Sequence, residues 1–152
     1  MARAQHSVDI ARPIEDVFDF LANGTNNPRW QNAVTLTTQL GDTLGVGTAF
    51  KQSMRHPLGF SVSANYRITA FERPRLLVTK VTSGGPIRPT ETYELSENAT
   101  GGTTVRCTID VRAAGAARIA MPVLALLRPL FAWEASWLDN ARDVLQGASA
   151  PG

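Results

Sequence analysis

Polar and apolar positions change period twice within the first thirty residues. Val8 and Ile10 alternate with Ser7 and Asp9, the period of a half-buried strand. Pro13 then supplies a preset φ at the first turn of a helix, and Glu15 and Asp16 put negative charge at its positive end. Ile14, Val17, Phe18 and Leu21 follow at i, i+3, i+4 and i+7, which lines them along one helical face. Asn23-Gly24 ends that helix, since both residues tolerate a left-handed C-terminal conformation. A polar turn, NNPR, then delivers Trp30.

The middle of the chain keeps the period of two and predicts a meander. Val34, Leu36, Thr38 and Leu40 alternate with polar neighbours up to Gly41-Asp42. Thr48, Phe50, Gln52 and Met54 share one face of the next run. Phe60, Val62, Ala64, Tyr66, Ile68 and Ala70 share a face of the longest one, opposite a wet face of Ser61, Ser63, Asn65, Arg67 and Thr69. Arg73-Pro74, Gly84-Gly85-Pro86 and residues 98–102 mark the turns between strands over 76–82, 87–95 and 104–112. No connection has the length of a helix, so the strands pair antiparallel.

Residues 122–146 return to a helical period. Val123, Leu126, Leu130, Trp133, Trp137, Ala141 and Val144 lie three or four apart, and Leu124, Leu127, Phe131, Leu138 and Leu145 widen the stripe. Pro129 predicts a kink or division of this helix, either a bend that follows a curved sheet or a hinge at a pocket mouth. A twisted antiparallel sheet curls, and a broad helix across its concave side touches both rims before it fills the middle. The geometry predicts a cavity. The fold class is therefore α+β, with residues 1–147 as a single domain and residues 148–152 as a disordered tail.

Composition narrows the function. With 152 residues, 43% of them hydrophobic, the chain has material for one sizeable core. The formal net charge is +2 and the arginines are scattered, so no basic stripe marks a nucleic-acid partner. One cysteine, Cys107, excludes an internal disulfide, and with only His6 and His56 beside it there is no zinc-ligand spacing. The first residues lack the apolar core of a secretory signal. The run 119–127 is less than half the ~20 residues of a spanning helix. The expected setting is the reducing cytosol, without stable membrane insertion, as monomer or homodimer.

Several segments, in order, carry a family resemblance: PIEDVFDFLAN, NNPRW, GVGTAF, FERPRLL, GGTTV and the long closing helix. Over residues 5–146 the chain resembles the SRPBCC superfamily, the START/Bet v 1-like helix-grip fold, and within it the polyketide cyclase/dehydrase-like group. The resemblance implies a curved antiparallel sheet of six to seven strands wrapped around a long C-terminal helix, with two short helices after the first strand. It also implies an internal pocket for a hydrophobic small molecule. The group holds cyclases as well as lipid and sterol carriers, and no catalytic signature of one branch is present here.

Alternation selects the polar groups that face such a pocket. Gln52 and Tyr66 sit on apolar faces, and Glu91 shares a face with Tyr93 and Leu95. An inward carboxylate is paired, hydrogen-bonded or held neutral by a raised pKa, which suits a general acid or base. Alternatively, Glu91 reaches solvent at the rim or pairs with Arg88 or Arg106. Glu91 and Tyr93 are thus the catalytic candidates. Trp30, Phe50, Gln52, Tyr66, Leu95, Ile109, Leu130, Trp133 and Trp137 are the ligand-binding candidates, of which Trp30, Tyr66, Trp133 and Trp137 are also readable as core. His56 is read as an exposed loop residue and Cys107 as a small hydrophobe.

Two main functions fit. One is binding or carriage of a lipid, polyketide or related compound. The other is a cofactor-free cyclase or dehydratase in which Glu91 moves protons while Tyr66, Tyr93 or Gln52 orients a carbonyl. A protein-interaction module is a third reading. None requires a metal or cofactor.

Overall fold

The computed structural model describes residues 2–55, 58–84, 87–113 and 137–147. Strand β1 (Ala2–Ile10) leads into α1 (Ile14–Ala22) and a 3₁₀ helix (Gly24–Arg29). Six strands follow: β2 (Val34–Leu40), β3 (Ala49–Arg55), β4 (Ser61–Glu72), β5 (Leu76–Ser83), β6 (Ile87–Glu97) and β7 (Thr103–Ala113). A C-terminal helix, α2 (Leu138–Leu145), ends the described chain. The two short helices after β1 and the antiparallel meander are as the hydrophobic pattern predicts. The part of the expected closing helix that carries Pro129, Leu130 and Trp133 lies outside the described residues, as do His56 and the tail 148–152.

All seven strands form one curved sheet in the order β1-β7-β6-β5-β4-β3-β2, antiparallel throughout. Only β1 breaks the meander. It pairs with β7, His6 opposite Cys107, and so brings the first strand beside the last. The sheet buries one face: Ile10, Phe50, Ile68, Leu77, Val105, Ile109 and Val111 are all at most 2% exposed.

Both helices pack on that inner face. α1 buries Ile14, Val17, Phe18 and Leu21, the predicted stripe, together with Phe20 and Ala22. Phe18 meets Phe71 of β4 edge to face at 5.1 Å, the arrangement ring quadrupoles favour. α2 buries Leu138 and Ala141. Its polar side is tied down at several points: Asp139 Oδ1 lies 2.9 Å from His6 Nε2 on β1, Asn140 Nδ2 donates to the Trp30 carbonyl at 3.0 Å, and Arg12 donates to the Leu145 carbonyl at 2.9 Å.

β2 departs from simple alternation. The register shifts between Val34 and Leu36, a bulge that reverses the faces of the residues after it. Thr37 is therefore buried, while Leu36 and Leu40, expected inside with Val34, are 60% and 48% exposed. The bulge matters for the site, because it turns the Thr37 hydroxyl inward.

Candidate ligand cavity

The cavity lies between the inner face of β3 to β6 and the segment running from α1 through the 3₁₀ helix to Gln31. Its volume is about 40 Å³, room for one or two water molecules. Period two along the strands sends Gln52, Tyr66, Thr79, Val81, Glu91 and Tyr93 into it. Leu21, Asn27, Trp30 and Gln31 close the helical side.

Two polar groupings share this wall. The first is centred on Asn27, which the 3₁₀ helix holds 5% exposed. Asn27 Nδ2 donates to Gln52 Oε1 at 2.9 Å and to the Tyr66 hydroxyl oxygen at 3.0 Å. The inward Thr37 donates to the same Gln52 Oε1 at 3.1 Å. Tyr66 is fixed further by stacking on Phe50, with ring centroids 4.9 Å apart and planes 18° from parallel. Gly24 passes directly over this pair. A Cβ there would collide with the Tyr66 hydroxyl and come within 2.8 Å of the Phe50 ring, so the position requires glycine.

The second grouping is on β6. Tyr93 donates its hydroxyl to Glu91 Oε2 at 2.6 Å, a length typical of a hydrogen bond to a carboxylate. Tyr93 is also met edge to face by Trp30, centroids 6.4 Å apart. Glu91 is half-buried on the cavity wall. Burial raises its pKa, and the Tyr93 hydrogen bond pulls the other way. Burial also raises the phenol of Tyr93, with the charge of Glu91 adding to it. At Tyr66 burial again pushes the pKa up, opposed by the Asn27 hydrogen bond and assisted by Glu91. Both phenols therefore stay protonated in the neutral range.

Five sequence candidates thus meet on one wall: Trp30, Gln52, Tyr66, Glu91 and Tyr93. Glu91 pairs with Tyr93, whereas Arg106 bonds Glu94 on the outer face at 2.7 Å. Phe50 backs Tyr66 from the core, and Leu95, Ile109 and Trp137 are buried in the core away from the cavity wall. Leu130 and Trp133 lie outside the described residues. Asn27, Gln31, Thr37 and Thr79 were not legible as wall or network residues: Asn27 reads as a turn residue, and the bulge that turns Thr37 inward has no sequence mark.

Residues 1–136 match the family described as polyketide cyclase / dehydrase and lipid transport. The chain belongs to that family. Solved structures similar to this polyketide cyclase / dehydrase family member include TTHA0849 from Thermus thermophilus, with 15% identity, a TM-score of 0.76, and coverage of 97% of this chain and 99% of that one. Ara h 8.0201 is similar at 13% identity and a TM-score of 0.60, over 90% of this chain and 97% of that one. The di-domain ARO/CYC StfQ from the steffimycin biosynthetic pathway is similar at 11% identity and a TM-score of 0.76; 99% of this chain aligns with 52% of that one, so the family member spans about half of the di-domain protein. At these identities the likeness shows the fold. No curated protein matches the chain in sequence. Among the described residues, no helix is long and apolar enough to cross a membrane.

Proposed function

We propose that this protein binds a mainly apolar, oxygen-bearing small molecule, such as a polyketide or related compound, between the inner face of the sheet and the helices, where the cavity of about 40 Å³ widens to admit it. The observation that carries this is the composition of the cavity wall. Leu21, Trp30 and Val81 supply apolar surface, while Gln52, Tyr66, Glu91 and Tyr93 supply a few fixed polar groups, the mixture of a small-molecule site. Family membership supports the same class of ligand.

Native mass spectrometry of freshly purified protein tests it. A one-to-one complex with an extractable lipophile, or saturable stabilisation by apolar carbonyl compounds, is expected. Protein that is always empty and is stabilised by none of them would contradict the reading.

The Glu91–Tyr93 contact favours a second reading, acid/base catalysis. Burial raises the pKa of Glu91, which strengthens its carboxylate as a proton acceptor. In a dehydration, its carboxylate would take a proton from the carbon beside a carbonyl and return it to the departing hydroxyl, which leaves as water. Glu91→Gln would then abolish turnover of a poly-β-ketone while leaving its binding intact. Unchanged turnover would remove Glu91 from the chemistry.

A further inference from the structure

The hydrogen bonds around Asn27 have a direction, and that direction constrains the ligand. An amide NH₂ has two protons, and Asn27 commits one to Gln52 Oε1 and one to the Tyr66 oxygen. Gln52 Oε1 is then occupied twice, since Thr37 also donates to it. What remains of Gln52 is its own NH₂, which donates to none of the described residues. What remains of Tyr66 is its O–H proton. Both side chains lie on the cavity wall.

Trp30 lines the same wall and carries a third donor. Its side chain is 4% exposed, and its indole N–H is buried without an acceptor among the described residues. An indole nitrogen has no acceptor capacity, and leaving a buried N–H unpaired is costly enough that such groups are normally satisfied. The missing partner is therefore an acceptor that the described residues do not provide.

We infer that Tyr66 O–H, the Gln52 amide and the Trp30 indole N–H form a donor-only pole, polarised by Asn27, that takes the carbonyl oxygen of a ketone-bearing ligand. This inference rests on the cavity being a small-molecule site. Asn27 acts as a positioning residue, because it touches the two donors rather than the ligand. The acceptor pole is Glu91, on β6, two strands from Tyr66 across β5, strands whose backbones lie about 10 Å apart. A ligand spanning the poles has a carbonyl at one end and a donor, such as an enol or hydroxyl, at the other. The donor pole discriminates against ammonium groups, which have no acceptor lone pair and whose protons would face other protons.

The test uses the whole protein and two probes of nearly equal shape, methyl naphthyl ketone and ethylnaphthalene. The ketone should bind roughly tenfold more tightly, the effect of one or two well-made hydrogen bonds, and its carbonyl stretch should shift to lower frequency on binding. Tyr66→Phe should cut that preference several-fold and reverse part of the shift. Asn27→Asp replaces the NH₂ donor with an acceptor and turns the Tyr66 and Gln52 donors inward, so it should abolish the preference. The ethylnaphthalene affinity of each variant reports whether the cavity is intact. Equal binding of both probes, or a carbonyl stretch unmoved by either substitution, overturns the donor pole alone. Binding of neither probe overturns the small-molecule site itself, and the donor pole with it.

Discussion

Tyr93 places its hydroxyl 2.6 Å from Glu91 Oε2, two residues away on the same face of β6. The phenol stabilises the charged carboxylate, against a burial effect that favours the neutral acid and is the larger of the two. Tyr93→Phe removes the opposing influence only. The pKa of Glu91, followed by the carbon resonance of its carboxyl, should rise further in that variant; a fall would mean that the hydroxyl bonds the protonated form.

The same shift makes stability depend on pH. Because the folded-state pKa of Glu91 lies above the ordinary 4.5, the folded protein holds a proton that the unfolded chain has released. Stability is therefore lost as pH rises from about 4.5 through the folded-state value. Glu91→Gln removes this loss. Denaturant titrations across that window should show the variant gaining on the wild type as pH rises, and a gap that stays constant would contradict the assignment.

Gly24→Ala tests the packing of the Asn27 grouping. The added methyl collides with the Tyr66 hydroxyl and presses on Phe50, so Tyr66 must move and its bond from Asn27 must lengthen or break. Overpacking of this kind costs ~1–3 kcal/mol. Chemical denaturation should show a loss of that size together with weaker ketone binding.

The bulge in β2 makes an unintuitive prediction about neighbours. Leu36→Thr removes a larger hydrophobe, yet Leu36 is 60% exposed, and the change should stay within ~0.5 kcal/mol. Thr37→Ala removes one hydroxyl, but that hydroxyl bonds Gln52, and its loss should cost ~0.5–1.5 kcal/mol. Equal or reversed effects in equilibrium unfolding would place the residues on the opposite faces.

The legible part of this molecule is the part that repeats. Alternation along 48–54, 60–70 and 87–95 puts Gln52, Tyr66, Glu91 and Tyr93 on the inner face, where the structure has them. The spacing of Ile14, Val17, Phe18 and Leu21 likewise marks the buried side of α1. What alternation cannot show is which inward residues meet one another. Leu95 and Ile109 obey the same period but fall under packed side chains rather than beside the hollow. Asn27 enters the site through a 3₁₀ turn with no hydrophobic period, and Thr37 through a register slip of one residue. The direction of a hydrogen-bond network belongs to tertiary structure, and so the donor pole has no signature in the sequence.

The most direct measurement follows the cavity's own N–H groups while a ligand enters. In a nitrogen–proton correlation spectrum titrated with methyl naphthyl ketone, the Trp30 indole and Gln52 side-chain amide resonances should move together and saturate at one equivalent of bound ketone. If the ketone binds while both resonances stay where they were, the ligand is held elsewhere and the account is wrong.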